Sequence, residues 1–430
     1  MPPSGGAATE APQPACLHPS APGSRWRRRG PPALAFSLAL LAYGLAAGPA
    51  LFRPSVAPHY VHLAGALLRG RLDVVGLAPQ GDVIAVGGRS FVAGSPLPAV
   101  LMTPFVAVSG VGFSDVAFGA LIGALGVSVA HATFRNAWIT LLFALGTPHF
   151  YLSALGSVWF NAHVVAVLFG LLAVRESLVG RRWLIAGAWL SLAGLARPTL
   201  MFGALYFVVS ILLGCERREW LRSLAALGAA LAIGIAAHAA WNAARFGSPS
   251  DFGYGYLRGT PNMVAAHARY GAFHPHFLRC NLYVSLAAPP RVRGQAPRLS
   301  YRFCDHLLRG VRLPPPAARV EPNPLGMSLL LTTPAFLLLP AALRRRDPPS
   351  LAAWAGLLAI MTPLWMYHNT GSVQFGYRYW MDAAPMWLLL LAPVLAGGPV
   401  RLRTGARLLV LASLAINAWG FAWLRPLFLR

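Results

Sequence analysis

The stretch PALAFSLALLAYGLAAGPALF, residues 32–52, decides the class of fold. It carries no charged side chain and is about as long as an α-helix must be to cross the hydrocarbon core of a bilayer. It is also longer than the apolar core of a typical signal peptide, and more apolar segments follow it. We therefore interpret it as an uncleaved first transmembrane helix.

The composition of the whole chain agrees with a membrane protein. Of its 430 residues, 56% are hydrophobic and only 11% are charged, which lies outside the usual range of soluble domains. The net charge is +24, and all of the positive side chains are arginines. These arginines lie in short runs between apolar segments, a pattern typical of membrane topology signals and not of a groove that follows phosphates. Nucleic acid is therefore excluded as a partner.

The apolar segments and the arginine runs together predict a topology. The apolar segments lie near 32–52, 98–112, 115–134, 137–153, 158–174, 183–197, 199–214, 220–245, 326–343, 351–368, 381–397 and 405–424. The positive-inside rule puts the arginine runs between them in the cytoplasm, provided that 98–112 does not fully cross. That segment is short and contains Pro104, so a re-entrant or interfacial helix fits it.

The predicted fold is an all-α polytopic membrane protein with roughly eleven transmembrane helices. It lies in the inner (plasma) membrane with its N-terminus in the cytoplasm and its active face outside. Its parts are a disordered basic cytoplasmic tail at 1–31, an N-terminal transmembrane module at 32–246 with a first outer loop at 53–97, an extracytoplasmic loop at 247–325, and C-terminal transmembrane helices at 326–430.

The outer loops are expected to carry short surface helices. Apolar residues recur at helical spacing from His59 to Leu68, which predicts an amphipathic helix on the membrane surface. In the second outer loop, Cys280 and Cys304 are compatible either with a disulfide or with two free thiols.

Carboxylates and arginines on the outer face are the candidate catalytic groups. A carboxylate can act as general base on a sugar hydroxyl, so Asp73 and Asp82 in the first loop are candidate catalytic residues. Arginine can take up the charge of a phosphate leaving group, which makes Arg378 and Arg197 candidate phosphate-binding residues. The alternative is that these carboxylates cap loops and pair with surface arginines.

The stretch GSVQFGYRYWMDAAP, residues 371–385, combines charge with aromatic residues at the start of an apolar segment. Asp382 follows Arg378 by one helical turn and could hold it in place. The alternative is a salt-bridged anchor that only fixes the depth of the helix. The candidate substrate-binding residues near this level are His59, Tyr60, His163, Gln374, Tyr377 and Asp382. The chain shows no metal-ligand pattern.

Four stretches resemble the C-type glycosyltransferase superfamily of integral membrane enzymes, in particular bacterial relatives of protein O-mannosyltransferases and lipid A aminoarabinose transferases. They are HYVHLAGALLRGRLDV with GRSFVAGSPLPAVLMTP, ALGTPHFYLSALGSVWFNAHVVAV, WNAARFGSPSDFGYGY with RYGAFHPHFLRCNLY, and HNTGSVQFGYRYWMD. The resemblance implies transfer of a sugar from a polyprenyl phosphate donor to an acceptor glycan, lipid or protein on the outer face. It also allows a divalent cation as a cofactor.

The chain departs from the family at one position. Many members carry an acid a few residues before the surface helix, but this chain reads Ser55-Val56-Ala57-Pro58 there. Either Asp73 or Asp82 then takes the role of this acid, or the protein binds or translocates lipid-linked sugars without transferring them. A small-molecule transporter is a third interpretation. It predicts polar residues in the middle of the spans, and the sequence has few of them.

Overall fold

The computed structural model describes residues 31–78, 82–257, 259–294, 303–308, 315–371, 373–397 and 400–429. The predicted tail, up to residue 30, lies outside the described residues. The described part is built from α-helices: α1 Pro32–Ala47, α2 His59–Leu67, α3 Leu97–Ser109, α4 Asp115–Phe134, α5 Ala137–Leu145, α6 His149–Ala154, α7 Val158–Val179, α8 Trp183–Ala196, α9 Ala204–Gly214, α10 Arg217–Phe246, α11 Pro261–Tyr270, α12 Leu278–Leu286, α13 Asp305–Leu308, α14 Leu329–Thr332, α15 Leu339–Ala342, α16 Pro348–Trp365, α17 Ala384–Ala396 and α18 Val400–Phe428.

Six helical segments of the described chain are long and apolar enough to cross a membrane: Pro32–Phe52, Asp115–Phe134, Val158–Val179, Arg217–Phe246, Arg378–Ala396 and Arg403–Phe428. Three shorter apolar helical segments accompany them: Leu97–Gly112, Trp183–Ala196 and Pro198–Gly214. A polytopic helical membrane protein is thereby confirmed. The count of roughly eleven spans remains a prediction.

Two segments predicted as single spans are broken in the structure. Segment 137–153 divides into α5 and α6, because Gly146 ends the first helix and Pro148 precedes the second. Segment 326–343 divides into α14, a 3₁₀-helix at Pro334–Leu338 and α15, with a proline in the first turn of each of the last two. Hydropathy alone does not detect these breaks, because proline and glycine interrupt the helix without making the segment polar.

The prediction of an all-α chain missed two short antiparallel sheets. Strand β1, Val83–Val86, pairs with β2, Arg89–Val92. Strand β3, Arg291–Val292, pairs with β4, Val320–Glu321. The first hairpin turns at Gly87 and Gly88, which have φ of 56° and 74°. Two glycines between apolar runs are a strong hairpin signal, so this element was detectable from the sequence.

The first loop, predicted to lie outside, is packed against the bundle. The predicted surface helix is present as α2, and its apolar side packs on α3. The hairpin contributes a small cluster of Ile84, Phe91 and Ala93, against which Phe246 at the end of α10 packs. The hairpin is therefore held between α2 and α10 and gives the adjacent Asp82 a defined position.

The second long loop, also predicted to lie outside, is cross-linked by a disulfide. Cys280 in α12 is bonded to Cys304, just before α13, so the structure selects the disulfide from the two alternatives. In the same loop, the rings of Tyr270 and His276 stack, and that of His276 lies edge-on to His306.

Candidate active site

A cavity of about 330 Å³ lies where the ends of several helices meet the first loop. The N-terminal end of α7 contributes Val158, Trp159 and Ala162, and the residues after α8 contribute Arg197 to Thr199. The 3₁₀-helix Arg378–Ala383 contributes Arg378 and Tyr379. Among the described residues, the charged side chains on its wall are Asp82, Arg197 and Arg378. Three of the four predicted catalytic and phosphate-binding residues therefore share one cavity.

Asp82 precedes the first hairpin and faces this cavity. Its backbone carbonyl accepts a hydrogen bond from Ala93 N at 2.7 Å, which closes the hairpin behind it. Trp159 Nε1 donates to Asp82 Oδ2. Burial raises the pKa of Asp82 to about 6, and the charge of Arg378 partly offsets this rise. A carboxylate with such a pKa is mostly ionised at neutral pH and is still basic enough to accept a proton.

Asp73, the other candidate base, has a different environment. Arg71 NH2 lies 2.6 Å from its Oδ2, and Arg89 pairs with its Oδ1. These two hydrogen-bonded arginines hold the pKa of Asp73 well below its usual range. Asp73 is not among the described residues that line the cavity. Asp73 is thus paired with two arginines of its own loop, which is the arrangement of the alternative interpretation given above.

Arg197 is held by a buried network behind the wall. Its Nε lies 2.7 Å and 2.8 Å from the two oxygens of Asp382. His163 Nδ1 contacts Oδ1 at 2.8 Å, and Thr199 Oγ1 donates to Oδ2 at 2.8 Å. The Arg197 side chain is 18% exposed and that of Asp382 is fully buried. Asp382 and His163 therefore act on the cavity through Arg197.

In this network Asp382 bonds Arg197, whereas the sequence led us to expect a pair with Arg378. An i to i+4 pair faces one side of an α-helix, but Arg378 to Ala383 form a 3₁₀-helix. In a 3₁₀-helix, residues three apart eclipse and residues four apart diverge. The carboxylate of Asp382 bonds Arg197, and its support of Arg378 stays a prediction.

Arg378 is nearly buried, and neighbouring residues fix its backbone. Its guanidinium lies 5.5 Å from the ring centroid of Tyr379. Its backbone N–H donates to Gln374 Oε1 at 3.0 Å, and Gln374 Nε2 donates to Thr370 O at 2.6 Å. Tyr377 donates to Asn281 Oδ1 at 3.1 Å. Gln374 and Tyr377, predicted to contact substrate, thus lie away from the wall and support the stretch that carries Arg378.

The remaining predicted residues divide between the wall and its support. Tyr60 in α2 lines the cavity. His59 is not among the described lining residues, and its ring lies edge-on to Trp159 at 6.4 Å. The sequence reasoning missed most of the aromatic wall, whose members come from distant parts of the chain: Trp159, Phe202, Phe252, Tyr254, Phe273, Tyr367 and Tyr379.

Ser55, found where an acid was expected, has a clear partner. Its N–H and hydroxyl each donate to Asp115 at 2.7 Å, and Ser157 N donates to the same carboxylate at 2.9 Å. Asp115 is 1% exposed. A second carboxylate at position 55 would face Asp115 at close range and repel it. Ser55 therefore connects the first loop to α4 and α7.

The donor set of the cavity does not fit a divalent cation. Within the described ranges, no group of three His, Cys, Asp or Glu side chains is placed to hold a metal ion. The wall offers one carboxylate beside two guanidinium groups, whereas Mg²⁺ and Ca²⁺ require several oxygen ligands and are repelled by cations.

Two solved proteins are similar to this structure. The archaeal oligosaccharyltransferase AglB from Archaeoglobus fulgidus, in complex with an inhibitory peptide and a dolichol-phosphate, matches at a TM-score of 0.50 and 12% identity over 91% of this chain and 56% of its own. ArnT from Cupriavidus metallidurans, bound to undecaprenyl phosphate, matches at a TM-score of 0.48 and 14% identity over 91% of this chain and 76% of its own.

The likeness to AglB concerns the fold, and the resemblance seen in the sequence is confirmed at that level. This chain spans little more than half the length of AglB, since it covers 56% of it. No protein-family profile matches the chain. No curated protein matches it by sequence.

Proposed function

We propose that this protein is a membrane glycosyltransferase that moves a sugar from a polyprenyl phosphate donor to an acceptor on the outer face. The observation that carries the proposal is the joint placement of Asp82, Arg197 and Arg378 on one cavity wall. One base and two phosphate-binding cations around an aromatic-lined cavity are the groups that this transfer needs. The fold shared with AglB, which was solved with a dolichol-phosphate, supports a lipid phosphate as the anionic part of the donor.

The proposed reaction is a direct displacement. The acceptor's nucleophilic oxygen or nitrogen forms a bond to the anomeric carbon, and its proton goes to Asp82. The bond between the anomeric carbon and the phosphate oxygen breaks, and its electron pair leaves with the polyprenyl phosphate. Arg378 and Arg197 stabilise the negative charge that develops on that phosphate. Trp159 holds one oxygen of Asp82, which leaves the other for the acceptor proton.

The roles within the site follow from contact. Asp82, Arg197, Arg378 and Tyr60 face the substrate, while Asp382 and His163 position Arg197 and Gln374 and Tyr377 support Arg378. Asp73 serves the architecture of the first loop through Arg71 and Arg89. The aromatic wall presents flat apolar faces, which suit the carbon-bound hydrogens of a sugar ring.

The test is release of polyprenyl phosphate from a labelled donor by the purified protein in detergent. We expect Asp82→Asn to bind donor and lose at least about a hundredfold in turnover, because general-base catalysis contributes about that much. Arg378→Ala should weaken donor binding. Glu216→Gln, which neutralises an exposed carboxylate paired with Arg218, is the matched control and should behave as wild type. Turnover should be unchanged by a chelator.

The second candidate is a non-catalytic binder of lipid-linked sugars, and Ser55 favours it because it stands where relatives carry an acid. Donor binding without release by wild type, across protein, lipid and glycan acceptors, would establish this alternative. An Asp73→Asn variant that abolishes turnover while Asp82→Asn does not would instead move the base to Asp73.

A further inference from the structure

A second cavity, of about 670 Å³, lies at the other end of the helix bundle. It is lined by the C-terminal residues of α7, the start of α8 and the start of α16. The cavity of the candidate active site is lined by the opposite end of each of these helices. Since α7 has 22 residues, the two cavities are about 30 Å apart along it. The arginine distribution predicts that this end faces the cytoplasm.

The charge on the wall of this second cavity is positive. Its charged lining residues, among those described, are Arg181, Arg345 and Asp347. Asp347 is already engaged, because it pairs with Arg345 at 2.9 Å and accepts from Ser350 N at 3.1 Å. Arg181 is half-buried and has no carboxylate partner in the described part of the chain. Among the described residues, the Arg181 guanidinium therefore lines the cavity without a paired carboxylate.

The backbone adds to this positive field. Helix α8 begins at the cavity through Trp183 and has no side-chain cap, so its N-terminal dipole end adds to the field, whereas the start of α16 is capped by Asp347. Arg181 has a φ of 50°, in a region that favours glycine. An arginine at such a position is not explained by backbone preference.

The rest of the wall combines hydroxyl groups with apolar surface. Tyr206 OH and Ser177 Oγ lie 3.1 Å apart at the cavity, and Ser210 is nearby. Leu178, Leu213, Leu389 and Ala392 form apolar wall. A ligand that fits this set has an anionic head and a hydrocarbon tail.

We propose that this second cavity binds the phosphate of an anionic phospholipid from the leaflet at that end of the bundle. Arg181 is the main phosphate contact, the apolar wall holds the upper part of an acyl chain, and the hydroxyls complete the headgroup site. The site is independent of the transfer reaction, since it lies at the far end of the helices from Asp82.

The experiment is native mass spectrometry of the purified protein, titrated with phosphatidylglycerol or with phosphatidylcholine. We expect wild type to retain phosphatidylglycerol selectively and Arg181→Gln to bind it about tenfold more weakly, as expected for loss of one charged hydrogen-bond partner. The matched control is Arg346→Gln, which removes an exposed arginine that is not among the cavity's lining residues and should bind within about twofold of wild type.

A second variant tests the cavity independently in case Arg181→Gln does not fold. Leu213 is 44% exposed and lines the cavity, so Leu213→Trp reduces its volume while both arginines are retained. It should also weaken phosphatidylglycerol binding. Equal retention of phosphatidylcholine, equal losses in Arg181→Gln and Arg346→Gln, or displacement of the lipid by millimolar inorganic phosphate would each overturn the proposal. The last result would identify a site for free phosphate.

Discussion

At the scale of single residues, the environment of Asp82 decides whether it can act as a base. Asp73 and Asp82 are equivalent in the sequence, nine positions apart in one loop. Folding gives Asp73 two arginines and gives Asp82 a tryptophan N–H and a buried cavity. The pKa of the first carboxyl falls and that of the second rises to about 6. Only the second is suited to take a proton near neutral pH.

Turnover should therefore fall as the pH drops through about 6, where Asp82 becomes protonated. Trp159→Phe removes an N–H that stabilises the ionised carboxylate, so the pKa of Asp82 should rise further. We expect the acid limb of the pH–turnover profile to move up by about one pH unit. Trp189→Phe, a substitution at a tryptophan that stacks on Phe169 away from the site, is the control. An acid limb that stays in place would remove Trp159 from this role.

Asp382 is predicted to act through Arg197. Asp382→Asn leaves Arg197 near a neutral amide, and breaking a buried ion pair costs about 3 kcal/mol. We expect a lower melting temperature and a raised KM for donor, measured by thermal unfolding and by steady-state kinetics.

Glu176→Gln is the comparison for that variant, because it breaks a pair with Arg182 whose side chain is 64% exposed. Exposed pairs contribute less than about 1 kcal/mol. Equal changes in melting temperature and KM for the two substitutions would show that Asp382 does not position Arg197.

At the scale of elements, the first hairpin is the part of the fold that carries Asp82 to the cavity. Gly88 has a φ of 74°, and an added Cβ would meet nothing within 4 Å. Gly88→Ala should thus destabilise by about 1 kcal/mol through backbone conformation alone. Gly405→Ala in α18, also in open space but in a helix, should stabilise by up to about 1 kcal/mol. Melting temperatures that move in the same direction would refute the assigned turn.

The disulfide is a second element-scale prediction. Cys280 and Cys304 are 24 residues apart. Removal of a disulfide that closes a loop of this length lowers the free energy of unfolding by about 3 kcal/mol. The double variant Cys280→Ser/Cys304→Ser should melt at a lower temperature than wild type under oxidising conditions. Proteolysis should cut it faster between residues 281 and 303. An unchanged melting temperature and cleavage rate would show that α12 and α13 need no cross-link.

At the scale of the whole molecule, stability is expected to depend on pH through buried imidazoles. Burial lowers the pKa of His306 and of His59 from 6.5 to about 4. Below pH 6.5 the unfolded chain therefore takes up protons that the folded chain excludes, and stability is lost as the pH falls from 6.5 towards 4. For His306 the loss is on the order of 3 kcal/mol.

Asp82 opposes this trend, because its raised pKa makes the folded chain bind a proton between about pH 4 and 6. The measurement is therefore a comparison of melting temperature against pH for wild type and His306→Gln. The variant should lose less stability on acidification than wild type. Parallel curves would show that His306 is not the titrating group.

The sequence by itself determined the membrane class, most helix positions and the residue types of the site. These follow from composition and periodicity, because a run of apolar residues can satisfy its backbone in a bilayer only as a helix. Side-chain chemistry and a predicted position on the outer face also identified Arg197, Arg378 and Asp82 as candidates. The glycine pair Gly87-Gly88 also indicates a hairpin, which hydropathy alone does not predict.

Only the tertiary structure decided which of these residues face one another. Asp382 bonds Arg197, which lies 185 positions away in the sequence. Asp115 meets Ser55 across 60 positions. Such pairings depend on how helices pack and on whether a short segment is α or 3₁₀, and both are set by contacts between distant parts of the chain. For the same physical reason, the different pKa values of Asp73 and Asp82 arise from burial and partners that exist only after folding.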